Sequence, residues 1–351
     1  MKILVVGKKR GINRVEISLK VLVDSIHKIY FSGFCISKNK ILYKIFTLYQ
    51  HVFYFYILLF KKPNILFYLA MNDDFIWCLR LAKKLKIITI IDIYTLREEI
   101  VVNSPKLSTR KLSKSRIKSV ISADRFKVYS SNYLIHLSHN DKQFLNKKYP
   151  NYDARDFVLP LAIPYDRKFI NKVKDHSCIN IVWWGQLSKI HGIDYILSEF
   201  ENLNEDSYKL HIFDTLKSRV LSYQKINSNK NIFFYYHLNF ENGLREWIFQ
   251  NADIILGLFG DSQIARVVLP NKVIEGLQFN LPIITIESNC YTEFNMLQAV
   301  TQCNRATGKL TSLIENLNLE NTIDNSILSE NFSVQSFNKR LNCILNEISG
   351  S

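Results

Sequence analysis

Short runs of β-branched and aromatic residues alternate with longer mixed segments along most of this 351-residue chain. In the first half these runs are ILVVG, ILFYLA, IITIIDI and FKVYSS, which begin at residues 3, 65, 87 and 126. Continuous apolar runs of this kind are typical of strands that are buried on both faces, and helical segments between them favour parallel pairing. The first half is therefore predicted to form a parallel sheet with crossover helices.

The same alternation begins again after a segment that contains two prolines. VLPLAIPYD, residues 158–166, interrupts the pattern, and INIVWWG at 179–185 starts a second series of predicted strands. We expect two domains, residues 1–163 and 164–330, with a C-terminal helix at about 331–351 that could pack back on the first. Ligands of such sheets lie beyond the carboxyl ends of the strands, so the cleft between the domains is the expected site.

The net charge of +15 belongs entirely to the first part of the chain. Residues 1–150 contain 28 Lys and Arg against 9 Asp and Glu, whereas the remainder contains 18 against 22. This asymmetry favours an anionic partner for the first domain, either nucleic acid or an anionic membrane leaflet. The aromatic residues lie in predicted strands and helices rather than among the basic residues of loops, which disfavours nucleic acid. The basic run at 106–118 could also be a solvated loop.

The longest apolar run, IFTLYQHVFYFYILLF at 45–60, has 16 residues. A membrane-spanning helix needs about 20, so this run is predicted to be either a mostly buried helix or a helix that lies in a membrane surface. Six cysteines are scattered without metal-binding spacing, which indicates a reduced, cytoplasmic protein. The N-terminal apolar stretch is too short for a signal peptide and is predicted to be the first strand.

Residues 255–280, ILGLFGDSQIARVVLPNKVIEGLQFN, combine a predicted strand, a glycine loop and a helix. Pro270 suits the first turn of that helix, and Asn280 suits a left-handed end. Lys272 and Glu275 are three residues apart and share one helix face. A cation beside a helix N-terminus could bind a diphosphate, and a carboxylate could accept both ribose hydroxyls. A surface Lys–Glu ion pair is the alternative interpretation.

Residues 252–288, ADIILGLFGDSQIARVVLPNKVIEGLQFNLPIITIES, resemble the donor-site region of retaining glycosyltransferases of family 4. Short capsule and O-antigen members of that family have the pattern ADI-x-LG-x-FG, then PNK-x-x-EAL and a P-V-I-T strand. Gly276 stands here where alanine is usual. Residues 181–197, IVWWGQLSKIHGIDYIL, are similar to the family's strand, HG turn and helix. Residues 62–99 and 129–164 are more loosely similar to its first domain.

The resemblance implies the GT-B architecture, an α/β fold of two Rossmann-like doubly wound domains that face each other across a cleft. It implies an acceptor domain at 1–163 and a nucleotide-sugar domain at 164–330, in a transferase that needs neither a metal nor a cofactor. The chain contains no D-x-D motif. The implied acceptor is a glycan on a polyprenyl diphosphate, used in cell-surface polysaccharide synthesis. The implied location is the inner face of a bacterial plasma membrane, with no nucleic-acid partner.

By this resemblance Glu275 holds the donor ribose and Lys272 a phosphate oxygen. The 257–261 loop lies against the transferred sugar, and the 185–192 turn borders the phosphates. Asp261 near the sugar and His139 in the first domain are the catalytic candidates, although His139 could simply start a helix. The expected nucleotide-sugar contacts are Gly185, Lys189, His191, Gly192, Phe259, Gly260, Arg266, Asn271, Lys272 and Glu275.

The chain departs from the family pattern at two positions. Val267 replaces the first carboxylate of the family's E-x7-E pair, so Asp261 could take its role and the stereochemical outcome stays open. Gln186 replaces the arginine of the family's G-R-L turn, for which Lys189 or Arg266 could substitute. A sugar-nucleotide epimerase of the same fold, a non-catalytic relative and a basic protein that binds membranes or nucleic acid are the alternatives.

Overall fold

The computed structural model describes residues 1–7, 18, 20, 28–32, 40–69, 75–93, 98, 113–163, 178–188, 191–204, 206–240, 242–319 and 326–350. The chain divides into two compact units between Ile163 and Pro164. The first unit comprises Met1–Val102, Lys106–Ile163 and Val334–Ser351, and the second comprises Pro164–Ser333 with Asn103–Pro105. The C-terminal segment thus belongs to the first unit.

Each unit contains a six-stranded sheet in which all neighbouring strands are parallel. The strand order is β2-β1-β3-β4-β5-β6 in the first sheet and β12-β11-β10-β7-β8-β9 in the second. The strands are β1 Lys2–Val6, β2 Lys28–Tyr30, β3 Ile65–Leu69, β4 Ile88–Asp92, β5 Tyr133–His136, β6 Arg155–Val158, β7 Ile179–Trp184, β8 Tyr208–Phe213, β9 Ile232–Tyr235, β10 Ile254–Leu256, β11 Ile283–Ile286 and β12 Val300–Cys303.

Helices connect the strands, as parallel pairing requires. The described α-helices are α1 Lys40–Tyr56, α2 Ile76–Lys84, α3 Lys114–Ser130, α4 His139–Lys148, α5 Ile193–Phe200, α6 Lys217–Ile226, α7 Leu244–Asn251, α8 Gln263–Val267, α9 Asn271–Gly276, α10 Cys290–Glu293, α11 Leu310–Glu315, α12 Ser326–Asn331 and α13 Val334–Gly350. A π-helical turn, Ile57–Lys61, follows α1, and a 3-10 turn, Leu277–Phe279, follows α9. The α/β fold class predicted from the alternation is confirmed.

The first sheet is covered on both faces. Alternate residues of β1 separate onto the two sides, so that Leu4 and Val6 pack with α2, whereas Ile3 and Val5 pack with α13. Phe337, Leu341 and Leu345 of α13 are buried in that second layer. The apolar stripe of α13 therefore makes the C-terminal helix part of the first unit's core, and Arg155 bonds Glu347 on the exposed side of this helix.

The strand predicted at 126–131 is wrong, because these residues form the end of α3. Ser113 caps α3 by accepting a hydrogen bond from the Arg116 backbone N–H. The buried positions of α3 include Asp124 and Lys127, which form an ion pair of 2.9 Å inside the unit. Because two charged residues occupy buried positions of α3, its apolar residues do not recur with the helical period. The apolar residues at the end of α3 therefore indicated a strand.

The long apolar run at 45–60 forms most of α1 and the π-helical turn. Tyr54, Ile57 and Leu58 are buried against the first sheet, but the opposite side of the helix is exposed. The interpretation as a mostly buried helix is therefore wrong. None of the helices in the described ranges is long and apolar enough to cross a membrane.

Candidate functional site

The second unit brings together the two glycine-containing segments that the sequence singled out. Strand β10 pairs with β7 on one side, where Ile255 lies opposite Val182, and with β11 on the other. Because all three strands are parallel, the turn after β7 and the loop after β10 emerge side by side at one edge of the sheet. The 185–192 turn and the 257–261 loop were expected at this edge.

Gly192 shows how closely these two segments approach. Its φ is +70°, and a Cβ atom there would lie 2.1 Å from the carbonyl carbon of Phe259. The Phe259 backbone N–H also donates to the His191 carbonyl at 3.1 Å. Only glycine fits this position, because both the backbone angle and the contact exclude a side chain. The Phe259 side chain is fully buried and packs against Tyr195, so a ligand could contact only the backbone of this expected site residue.

A buried carboxylate holds the 185–192 turn from the neighbouring strand. Asp214, directly after β8, accepts a hydrogen bond from the Leu187 backbone N–H at 2.8 Å. It also accepts two bonds of 2.7 Å from the guanidinium of Arg219. Neither residue is among those predicted from the sequence, although an aspartate after a buried strand is a recognisable signal. Their bonds fix the turn that carries Gly185.

Lys272 is only 6% exposed, although it is a lysine on a six-residue helix. Its Nζ lies 3.7 Å from the centroid of the Trp183 ring and 3.4 Å from the position of a Cβ atom on Gly185. It has no hydrogen-bond partner among the described residues. Burial lowers its pKa well below the ordinary lysine value, while nearby Glu275 opposes this shift. A surface Lys–Glu ion pair is therefore not what this pair forms.

Glu275 lies one helical turn further along, and its Oε2 accepts a hydrogen bond of 3.0 Å from the indole N–H of Trp184. Burial raises the pKa of the carboxyl group, against the opposing effects of this bond, Arg245 and Lys272. No hydrogen bond to Oε1 is present in the described part of the chain. One carboxylate oxygen of Glu275 is therefore held by an indole, and the other has no hydrogen-bond partner among the described residues.

Arg245 and Phe240 complete the surroundings of Glu275, and neither is among the residues predicted from the sequence. The guanidinium of Arg245 lies 5.3 Å from the Phe240 ring centroid, and the Phe240 ring lies 5.3 Å from that of Trp184. The Arg245 Nε is buried without a hydrogen-bond partner among the described residues. Neither Arg245 nor Phe240 belongs to a recognisable motif, so the sequence contains no signal for this group of aromatic and cationic side chains.

His191 lies near Lys272, but its imidazole does not carry the positive charge of a phosphate-binding cation. Burial lowers the pKa of the His191 imidazole to about 3, and the charge of Lys272 is the second cause of this shift. Its Nδ1 bonds the Gln186 carbonyl, which can only accept, so Nδ1 carries the proton and Nε2 is an acceptor. The imidazole is therefore neutral at physiological pH in the free protein.

The other expected site residues lie on the 257–261 loop, on α8, on α9 or outside the described residues. Asp261 and Arg266 are exposed on the 257–261 loop and on α8, and Asn271 is the first residue of α9. Gly260 lies against Gly192, with its backbone nitrogen 2.6 Å from where a Cβ of that glycine would stand. Lys189 lies outside the described residues. Asn280 has the predicted left-handed conformation, with φ of 53°, and Pro270 immediately precedes α9.

His139, the catalytic candidate in the first unit, is exposed at the first position of α4. Ser138 caps this helix by accepting from the Asp141 backbone N–H at 2.9 Å. His139 therefore stands at the start of a helix, as the alternative interpretation predicted. Among the described residues no group of three or more His, Cys, Asp or Glu side chains could hold a metal ion.

Comparison with known proteins identifies the fold but not the family. No protein-family model matches the chain, and no curated protein matches its sequence. A sucrose-phosphate synthase from Thermosynechococcus elongatus is similar in structure, with a TM-score of 0.67, 9% identity and 99% of each chain covered. HepE from Anabaena, solved in complex with UDP-glucose, has a TM-score of 0.65 and 10% identity, with 99% of this chain and 100% of HepE covered.

A UDP-GlcNAc 2-epimerase from Methanocaldococcus jannaschii is also similar. Its TM-score is 0.53 with 14% identity, and 99% of this chain and 100% of the epimerase are covered. The chain has a glycosyltransferase-like GT-B fold. Since transferases and an epimerase are both similar to it in structure, the fold leaves the reaction open.

Proposed function

We propose that the second unit binds a nucleotide-diphosphate sugar and that the chain transfers its sugar to a glycan acceptor. The observation that carries the proposal is the buried, unpartnered Nζ of Lys272 one helical turn from an oriented carboxylate. A buried amine without a partner is unfavourable, and an anion would satisfy it. The resemblance of this segment to the family 4 donor site supports the same ligand.

Lys272 would contact the diphosphate and stabilise the charge that develops on it when the bond to the sugar breaks. Its pKa is lowered in the free protein because the side chain is buried. A bound diphosphate would raise that pKa again, since a nearby anion favours the charged amine. A fixed cation in a dry site is an effective way to stabilise a leaving group. We infer that this lysine supplies the charge that a metal ion supplies in other transferases.

Glu275 would accept the two ribose hydroxyls. The Trp184 indole holds Oε2 at 3.0 Å, which leaves Oε1 directed by the indole and by the helix that carries the residue. A carboxylate has lone pairs for both hydroxyl groups of a diol. Asp261 on the 257–261 loop would lie near the sugar, where the family pattern has a carboxylate that Val267 replaces.

The acceptor would bind to the basic first unit, with His139 as a candidate residue there. Residues 1–150 contain 28 basic and 9 acidic side chains, which supports an anionic acceptor such as a glycan on a polyprenyl diphosphate. The same charge supports a peripheral position on the anionic inner leaflet of a bacterial plasma membrane. Synthesis of a capsule or O-antigen polysaccharide, with retention at the sugar, is the activity we propose on the resemblance.

A thermal-shift panel of UDP-, GDP-, ADP- and CMP-sugars tests the donor site. One nucleotide class should raise the melting temperature, and Lys272→Met and Glu275→Gln should each reduce the shift. Lys230→Met and Glu201→Gln, which change exposed residues of the same unit, should retain it. If no nucleotide stabilises the protein, or if both site variants respond as strongly as the natural chain, the donor site is not here.

Product analysis separates transfer from epimerisation, the second candidate that the similar epimerase structure favours. Incubation with donor alone should return an unchanged sugar, whereas a glycan acceptor should release the nucleoside diphosphate and gain the sugar. Conversion of the donor sugar to its epimer without acceptor would favour the alternative. Turnover should also persist in excess EDTA, because Lys272 rather than a metal ion would stabilise the leaving group.

A further inference from the structure

Helix α1 carries an unusual concentration of exposed apolar side chains. The described part of the chain has 18 large apolar residues that are exposed, and half of them lie within 41–60. They are Ile41, Leu42, Ile45, Leu48, Tyr49, Val52, Phe55, Tyr56 and Phe60, each between 43% and 69% exposed. Soluble proteins seldom expose a contiguous apolar patch of this extent without using it in an interaction.

These side chains form one continuous face of the helix. Ile45, Leu48, Val52, Phe55 and Tyr56, which we name the α1 apolar face, recur at intervals of three, four, three and one residues. At about 100° of rotation per residue they occupy one side of α1. An ordinary surface helix turns such a side toward the core, whereas this one turns it outward.

The other side of α1 is fastened to the first unit, which fixes the outward direction of the α1 apolar face. Tyr54 donates its hydroxyl proton to the Gly7 carbonyl at 3.0 Å, and the Gln50 amide donates to the Ser32 hydroxyl at 2.8 Å. His51 accepts a bond of 2.8 Å from the Trp77 indole. Gln50 and Tyr54 are buried, so α1 could not turn its apolar face inward without breaking these bonds.

The charged residues along the sequence around α1 are all of one sign. Residues 25–72 contain six lysines and not a single Asp or Glu. Lys44 is exposed on α1, and Lys61 and Lys62 are exposed just after it. Nζ of Lys61 lies 5.6 Å from the ring centroid of Tyr56, at the edge of the apolar face. An apolar helix face bordered by lysines matches a lipid leaflet with anionic headgroups.

A second copy of the chain is a poorer match for this surface. A two-fold dimer through α1 would place the same patch on both sides of the interface. The lysines of the two copies would then meet, and residues 25–72 contain no carboxylate to compensate for their repulsion. An anionic leaflet compensates for the lysines and covers the apolar side chains at once.

We infer that the α1 apolar face is the surface by which this protein docks on an anionic membrane. Leu48, Val52 and Phe55 enter the headgroup and upper acyl region, while Lys44, Lys61 and Lys62 contact lipid phosphates. The ring of Tyr56 lies at the boundary, where aromatic side chains are favoured. The inference assigns a contact surface to the membrane partner of the proposed function. It rests on that function only for the reason why the protein would dock.

Vesicle co-sedimentation of the full chain tests the inference without any donor or acceptor. The protein should pellet with vesicles of phosphatidylcholine that contain about a third of phosphatidylglycerol, and weakly with phosphatidylcholine alone. Leu48→Gln/Val52→Gln should reduce binding to the anionic vesicles at least tenfold at any salt concentration. Lys44→Gln/Lys61→Gln/Lys62→Gln should reduce it at low salt and remove most of its salt dependence. Leu221→Gln/Ile226→Gln, which changes exposed apolar residues of the second unit, should bind like the natural chain.

Three outcomes would overturn the inference: unchanged binding by Leu48→Gln/Val52→Gln, equal loss of binding by the control variant, or no binding to anionic vesicles at all. Sedimentation equilibrium provides a further check. A dimer that Leu48→Gln/Val52→Gln dissociates, in a protein that ignores vesicles, would assign the surface to a second copy. Nucleotide-sugar binding, measured on the same samples, reports on Lys272 and Glu275 separately, so failure of the donor site and failure of docking are distinguishable.

Discussion

Replacing Lys272 with methionine should stabilise the free protein while it removes donor binding. The side chain is buried and its Nζ has no hydrogen-bond partner among the described residues. A buried polar group without a partner destabilises a protein by about 1–3 kcal/mol. Methionine has a similar length and no polar group that requires a partner, so this unfavourable contribution disappears in the variant.

The Trp183 contact sets the size of the net effect. With Nζ 3.7 Å from the ring centroid, a charged Lys272 gains about 0.5–2 kcal/mol from the aromatic face. A methionine sulfur recovers about 0.3–1.5 kcal/mol of this by its own contact with the ring. The expected net stabilisation is about 1 kcal/mol, which corresponds to a rise of about 2–4 °C in the melting temperature of a domain of this size.

Donor affinity should change in the opposite direction. Loss of a charge-assisted hydrogen bond to a phosphate corresponds to about 1.5–3 kcal/mol, or a tenfold to hundredfold weaker binding. Urea denaturation measures the stability and isothermal titration calorimetry measures the affinity, with Lys230→Met as the exposed-lysine control. A Lys272→Met protein that unfolds more easily, or that binds the nucleotide as well as the natural chain, would refute the reasoning.

Three further predictions follow from the same site. Trp184→Phe removes the indole donor to Glu275, so the donor KM should rise about tenfold in steady-state kinetics while kcat stays unchanged. Gly192→Ala should destabilise the protein by about 2–3 kcal/mol in urea, whereas Gly308→Ala, where a Cβ meets nothing closer than 3.6 Å, should not. Between the lowered pKa of Lys272 in the folded protein and the ordinary lysine value, the unfolded state binds a proton that the folded state has released. The free energy of unfolding should therefore rise with pH in this range, and Lys272→Met should flatten the slope.

The strands and the donor segment could be predicted because their physical signals are local. Strands buried on both faces are continuous apolar runs, as in β7 and β11, and need no knowledge of their neighbours. Asn280 was identified because a left-handed residue after a helix favours asparagine. The three-residue β2, with only partial burial, has too few residues to produce such a pattern.

The surroundings of Glu275 could not be predicted, because they arise only when distant segments meet. Trp184 precedes Glu275 by 91 residues, and Arg245 lies on a helix between them. Nothing in the sequence around Trp184 distinguishes an indole that packs in the core from one that donates to a carboxylate. The charge state of His191 is equally nonlocal, because burial and the nearby Lys272 together keep it neutral.

Three charged groups of the second unit, the buried Lys272 and the half-buried Arg245 and Glu275, lie near one another without direct ion pairing. Lys272 and the Nε of Arg245 have no hydrogen-bond partner in the described part of the chain, and Glu275 is bonded by a neutral indole. In a purely structural cluster, the carboxylate would bond directly to one of the cations, because unpaired buried charges are strongly unfavourable. Their separation instead leaves a lysine amine and a carboxylate oxygen that both lack a hydrogen-bond partner among the described residues. A ligand that carries both an anion and hydroxyl donors would satisfy both groups, and this requirement is stricter than that of a simple phosphate site. Inorganic phosphate should therefore stabilise the protein less than a nucleoside diphosphate does, and Glu275→Gln should reduce that difference.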